Sequence, residues 1–95
     1  MSDLDHLFER IASGAIPSHR VYEDEHVYAV LDINPLSRGH TLVIPRQRYL
    51  TLGDVPEAVG AALGRALPRI ARAVVEATGA EAYNVLQNNG RSAGQ

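Results

Sequence analysis

The segment DINPLSRGHTLVIP, Asp32 to Pro45, sets the organisation of the whole chain. Asn34-Pro35 and Gly39 mark a loop, because proline excludes the helical region for its predecessor and glycine tolerates the turn that follows. HTLVIP then alternates, with His40, Leu42 and Ile44 on one face and Thr41 and Val43 on the other. Pro45 closes the strand, having no amide to give to a ladder. Upstream, HRVYEDEHVYAVLD (19–32) holds two β-rich runs around the polar tetrad Glu23-Asp24-Glu25-His26, which predicts an antiparallel hairpin. Three consecutive strands are therefore expected before any long helix.

Helices flank that region. From Asp5 to Ser13 the apolar residues Leu7, Phe8, Ile11 and Ala12 recur at three and four, Ser2 or Asp3 is a suitable cap, and Gly14 with Pro17 ends the element. Downstream of the third strand, Asp54-Val55-Pro56-Glu57 reads as a helix start, Asp54 capping and Glu57 reaching back. Val55, Val59, Leu63, Leu67, Ile70 and Val74 then line one side of a helix that ends near Thr78-Gly79. Pro68 falls inside this run and predicts a kink rather than two helices, because it removes one hydrogen bond and crowds a carbonyl. AYNVLQNN (82–89) reads as a strand and GRSAGQ as a loop. The expected class is α+β in a single domain, 1–95: an antiparallel sheet with one short N-terminal and one long central helix.

The chain has 95 residues, 45% hydrophobic and 21% charged, an ordinary balance for one folded domain and a poor one for a disordered or fibrous segment. Nine basic residues against eleven acidic ones give a net charge of −2, and the basic residues form no stripe, so neither nucleic acid nor an anionic membrane is expected as a partner. Without cysteine there is neither a disulfide framework nor a thiolate zinc site. The opening MSDLDHLFER is acidic where a secretory leader is basic, and no apolar run approaches the roughly 20 residues that span a bilayer. A cytoplasmic location is the resulting expectation.

On DINPLSRGHTLVIP the chain resembles the histidine triad (HIT) nucleotide-binding proteins, and the resemblance extends over nearly all 95 residues. LFERIASGAIPSHRVYEDEHVYAVLD looks like that family's opening helix and first hairpin, with the intervening Gly-x-Ile-Pro. YNVLQNNGRSAGQ is similar to the strand and loop before the family's signature. That signature, His-x-His-x-His, follows the Gly-Gln pair by a few residues; here Gly94-Gln95 are the last two, so a domain truncated at its C-terminal end, lacking the triad strand, is expected. Period two sets three imidazoles on one sheet face, where one attacks a phosphorus while its neighbours fix the tautomer and balance charge.

The resemblance implies a nucleotidyl hydrolase or transferase acting on the α-phosphorus of purine nucleoside phosphoramidates or dinucleoside polyphosphates through a nucleotidyl-histidine. It implies that Asp32 takes the ribose hydroxyls, that Phe8, Ile11 and Ile33 pack on the base, and that His40 supports the triad. Asn88 then lies near the phosphate, and Gly94 with Gln95 where main chain approaches it. Each residue has a plainer reading on its own: Asp32 ends a strand, His40 shares a face with Leu42 and Ile44, Phe8 and Ile11 belong to a core, and Asn88 is an ordinary loop residue. His6, His19 and His26 show no partner pattern. Some relatives hold structural zinc, but the matching positions here are His6, Glu9 and Arg48, a poor tetrahedral set, so no metal and no resident cofactor is expected. The resemblance also implies a homodimer through the helix from Asp54 to Thr78 and the strand from Ala82 to Asn88, with AMP or a similar purine nucleotide as ligand. The competing function is a noncatalytic nucleotide-binding or dimerisation module, since no serine, cysteine or lysine replaces the missing nucleophile. This chain alone is expected to be inactive.

Overall fold

Val27 to Val30 is the centre of the molecule: four consecutive buried residues in the middle strand of an antiparallel sheet. The computed structural model describes residues 19–32 and 38–95. The sheet has the order β1 (Arg20–Glu23), β2 (Val27–Leu31), β3 (Thr41–Pro45), and α1 (Glu57–Thr78) lies against it. Short 3₁₀ turns occupy Leu52–Asp54 and Arg91–Ala93. The helix expected from Asp5 to Ser13 lies outside the described residues.

The predicted hairpin forms, with Glu23 opposite Tyr28 and Arg20 opposite Val30, the pairing shifting by one residue between Arg20 and Tyr22. Asp24 organises the turn. Its Oδ1 accepts the amides of His26 (2.8 Å) and Val27 (2.9 Å), its Oδ2 accepts the Tyr22 hydroxyl (2.7 Å), and its carbonyl accepts Nε of Arg46 (2.7 Å). The Tyr22 hydroxyl, helped by the Val27 and His26 amides against a desolvation cost, holds the Asp24 carboxyl down at about 2. The depressed value means that the ionised carboxylate stabilises the fold above its ordinary titration range, and that this contribution is lost as pH falls from about 3.8 through about 2. Asp24→Asn should therefore cost about 1–2 kcal/mol near neutrality. In urea unfolding, its deficit against the wild type should shrink between pH 4 and pH 2; a deficit constant over that interval would detach the turn from this titration.

Both faces of β2 are covered. Val27 and Ala29 meet Ala62, Ala66 and Ile70 of α1, with Val21, Tyr22, Val43, Leu63 and Val74 packed around them. On the alternate side, Tyr28 is buried with the guanidinium carbons of Arg20 and Arg46 at 5.3 and 5.8 Å from its ring centroid. Arg46 and Arg20 are held in turn by Glu23 Oε2, at 3.1 and 2.8 Å.

The helix corrects two expectations. Its most buried stripe is Ala62, Ala66 and Ile70, whereas Val59, Leu63 and Leu67 are only half-buried. Methyl side chains let the helix axis approach the sheet over Ala29, so the larger residues are displaced to the flanks. Asp54 does not cap α1 either. Its Oδ2 accepts the Thr51 amide (3.2 Å) and hydroxyl (3.0 Å), tying off the preceding turn, and Pro56 is the residue before the helix. The other end is as expected: α1 runs as one element through Pro68, and Gly79 closes it in the left-handed region, its amide bonded to the Val75 carbonyl.

The strand expected over Ala82–Asn88 is not formed. Residues 82–89 carry no ladder, and Tyr83, Val85 and Leu86 are exposed. A strand exists by pairing, and among the described residues none of the three strands lies beside this one in the sheet.

Candidate functional site

Asp32 and His40 are brought together by the β2–β3 ladder. Leu31 pairs with Thr41, and the Asp32 amide extends the pairing by donating to the His40 carbonyl at 2.9 Å. Directly opposed residues of antiparallel strands share a face and hold their Cβ atoms close. His40 Nδ1 accordingly lies 3.4 Å from Asp32 Oδ2, with the two side chains only 28% and 19% exposed. At that separation the contact is looser than the usual hydrogen bond, at the mouth of the loop between the strands.

Gly39 delivers His40 to this position. Its φ of +84° suits glycine, and a Cβ built there would lie 2.8 Å from Thr78 Cγ2 and 3.2 Å from Val74 Cγ1. The end of α1 thus presses against the turn that carries the histidine, and Thr41 Oγ1 donates to the Gly39 carbonyl (2.8 Å) to fix its other side.

The second group of expected residues sits on the final loop. Asn88 Nδ2 lies 3.6 Å from where a Gly94 Cβ would be, and Gly94 itself has φ +94°. Gln95 folds back as a clasp: its Oε1 accepts the Gly90 amide, its Nε2 donates to the Leu50 carbonyl, and its amide reaches the Gly90 carbonyl at 3.2 Å. Asn89, which the sequence alone did not single out, accepts the Leu52 amide at 2.6 Å and donates to Gln87. The loop bearing Asn88 and Gly94 is thereby anchored to residues 50–52. Phe8, Ile11 and Ile33 lie outside the described residues. So do His6 and Glu9; among the described residues no three His, Cys, Asp or Glu side chains cluster as a metal site would require, and no helix is long and apolar enough to cross a membrane.

The profile of the HIT domain matches residues 13–95. The chain belongs to the HIT family. Adenylylsulfatase HINT3 of Arabidopsis thaliana is 45% identical over 96% of this chain and 46% of its own length. Adenosine 5'-monophosphoramidase HNT1 of Saccharomyces cerevisiae is 40% identical, over 94% of this chain and 54% of its own. The crystal structure of a HIT family protein from Bacillus subtilis superposes with a TM-score of 0.89 at 43% identity, covering 94% of this chain and 63% of that one. The HIT fold, α+β as expected, is therefore that of this chain, which spans about half to two thirds of the length of these relatives.

Proposed function

We propose that the protein is a HIT-type nucleotidyl hydrolase or transferase, acting at the α-phosphorus of purine nucleoside phosphoramidates or dinucleoside polyphosphates. The observation that carries this reading is the pairing of Asp32 with His40 across the start of β3, at the positions where the family resemblance expects ribose and triad contacts. The plant and yeast relatives, named as an adenylylsulfatase and an adenosine 5'-monophosphoramidase, support the same class of substrate.

In this reading, Asp32 accepts the two ribose hydroxyls, Phe8, Ile11 and Ile33 enclose the base, and Asn88 with the main chain at Gly94 meets the phosphate. Gln95 and Asn89 hold that loop in place. The nucleophile is an imidazole of a His-x-His-x-His strand, a pattern the four histidines of this chain do not form. It would displace an amine from a phosphoramidate, or a nucleoside polyphosphate from a dinucleoside polyphosphate, as it bonds to phosphorus, and water would then release the nucleoside monophosphate. Held geometry of this kind contributes by orienting the α-phosphorus for attack.

A homodimer through α1 and residues 82–88 belongs to the proposal. Ala71, Val75 and Tyr83 line one groove together with Arg72 and Glu76, and Val85 and Leu86 are largely exposed, which supports a surface for a second copy. Light scattering at micromolar concentration reads this directly, and a monomer would remove that part. The cytoplasm is the location consistent with a nucleotide substrate and a cysteine-free chain.

The activity is tested by incubating the whole protein with adenosine 5'-phosphoramidate and following AMP release. Turnover is expected, with the 95-residue chain alone inactive. Binding without turnover in the whole protein would favour the noncatalytic module instead.

A further inference from the structure

We infer that His40 acts on the nucleotide through Asp32, as a positioning residue for sugar recognition rather than as a phosphate contact in its own right. The inference rests on the nucleotide reading above and assigns one more role within it.

Three observations carry it. The backbone bond from the Asp32 amide to the His40 carbonyl, 2.9 Å, makes the two residues direct cross-strand neighbours, so their proximity is built into the ladder. Nδ1 of the ring faces Oδ2 of the carboxylate at 3.4 Å, and both side chains are largely shielded, where a pair of this kind is less weakened by water than on an open surface. His40 enters from Gly39, whose backbone is pinned by Thr41 Oγ1 and by close packing against Thr78 and Val74. Nδ1 is thereby engaged with Asp32 rather than with a ligand oxygen.

Chemically, an aspartate has a short side chain whose carboxylate plane is set by whichever donor holds it. The group offers about four acceptor positions, so an imidazole at Oδ2 is compatible with two hydroxyl donors from a ribose. Fixing the plane beforehand lowers the ordering cost of binding the diol, and a 2'-deoxy sugar forfeits one of the two bonds. The dyad is therefore expected to read the 2'-hydroxyl, with His40 contributing only while Asp32 is present.

Calorimetry with AMP, 2'-deoxy-AMP and adenosine on the whole protein tests this. Wild type should prefer AMP over 2'-deoxy-AMP by about 10-fold, the order expected for one hydrogen bond to a charged group. His40→Leu should bring that ratio near unity, while His40→Asn, whose Nδ2 occupies the place of Nδ1, should largely restore it. A His40→Leu protein that keeps the sugar preference but loses preference for AMP over adenosine would overturn the inference and assign His40 to the phosphate. If the leucine variant does not fold, the imidazole nitrogen spectrum of the wild type decides: a His40 ring protonated at Nδ1 that changes in Asp32→Asn is expected, and identical spectra would overturn it. Wild type that binds no nucleotide removes the functional reading as well, whereas sugar discrimination untouched by either His40 variant removes the dyad alone.

Discussion

Replacing Gly39 by valine should lower stability by about 3 kcal/mol and the thermal midpoint by on the order of 10–20 °C. Two costs combine. The backbone φ of +84° is one that a β-branched residue adopts only under strain, and the new Cβ would stand 2.8 Å from Thr78 Cγ2. Thr78 has little room to yield, because its hydroxyl donates to the Val74 carbonyl (2.8 Å) and accepts the Ala80 amide (3.3 Å), which fixes the rotamer. Gly79 supplies the control: its φ is +71°, but nothing lies within 4 Å of a Cβ there, so Gly79→Ala should cost only about 1 kcal/mol. Thr78→Ser, which deletes the obstructing methyl, should recover part of the Gly39→Val loss. Thermal melts of these variants check the assignment, and equal losses at positions 39 and 79 would contradict the steric part of it.

Asp32→Ala should reduce AMP affinity by roughly 100-fold, the scale of two hydrogen bonds to a charged acceptor. The fold should survive the change. Asp32 follows β2 and is not part of the Val27, Ala29, Ala62, Ala66 and Ile70 core, and its backbone bond to His40 needs no side chain. What is lost is the carboxylate that faces His40 Nδ1 at 3.4 Å.

Much of this arrangement was legible from local chemistry. Asp24 and its tetrad announced a turn because a short acidic side chain satisfies amides two and three residues on, and it does so with His26 and Val27. Gly79 announced the end of α1 for the same kind of local reason. Asp32 and His40 were each legible as candidates from DINPLSRGHTLVIP, but their pairing was not, since it depends on the register of β2 on β3. Less legible were features decided by distant neighbours. Ala62 and Ala66 look unremarkable beside Leu63 and Leu67 until the sheet is close enough that only a methyl group fits. Asp54 sits where a helix cap would be, yet Thr51 competes for its carboxylate and wins. Residues 82–88 have the alternation of a strand, but hydrogen-bonding partners belong to other segments and no pattern in the segment supplies them. The clasp made by Gln95 on Leu50 spans 45 positions and has no sequence signature.

The central claim is that Asp32, held beside His40, grips the sugar of a nucleotide. Titrating AMP into the whole protein and into its Asp32→Ala variant by calorimetry addresses it most directly. Saturable binding by the wild type and a loss of about 100-fold in the variant, with both proteins melting at similar temperatures, is the predicted result. Equal AMP affinity in the two proteins would contradict the claim.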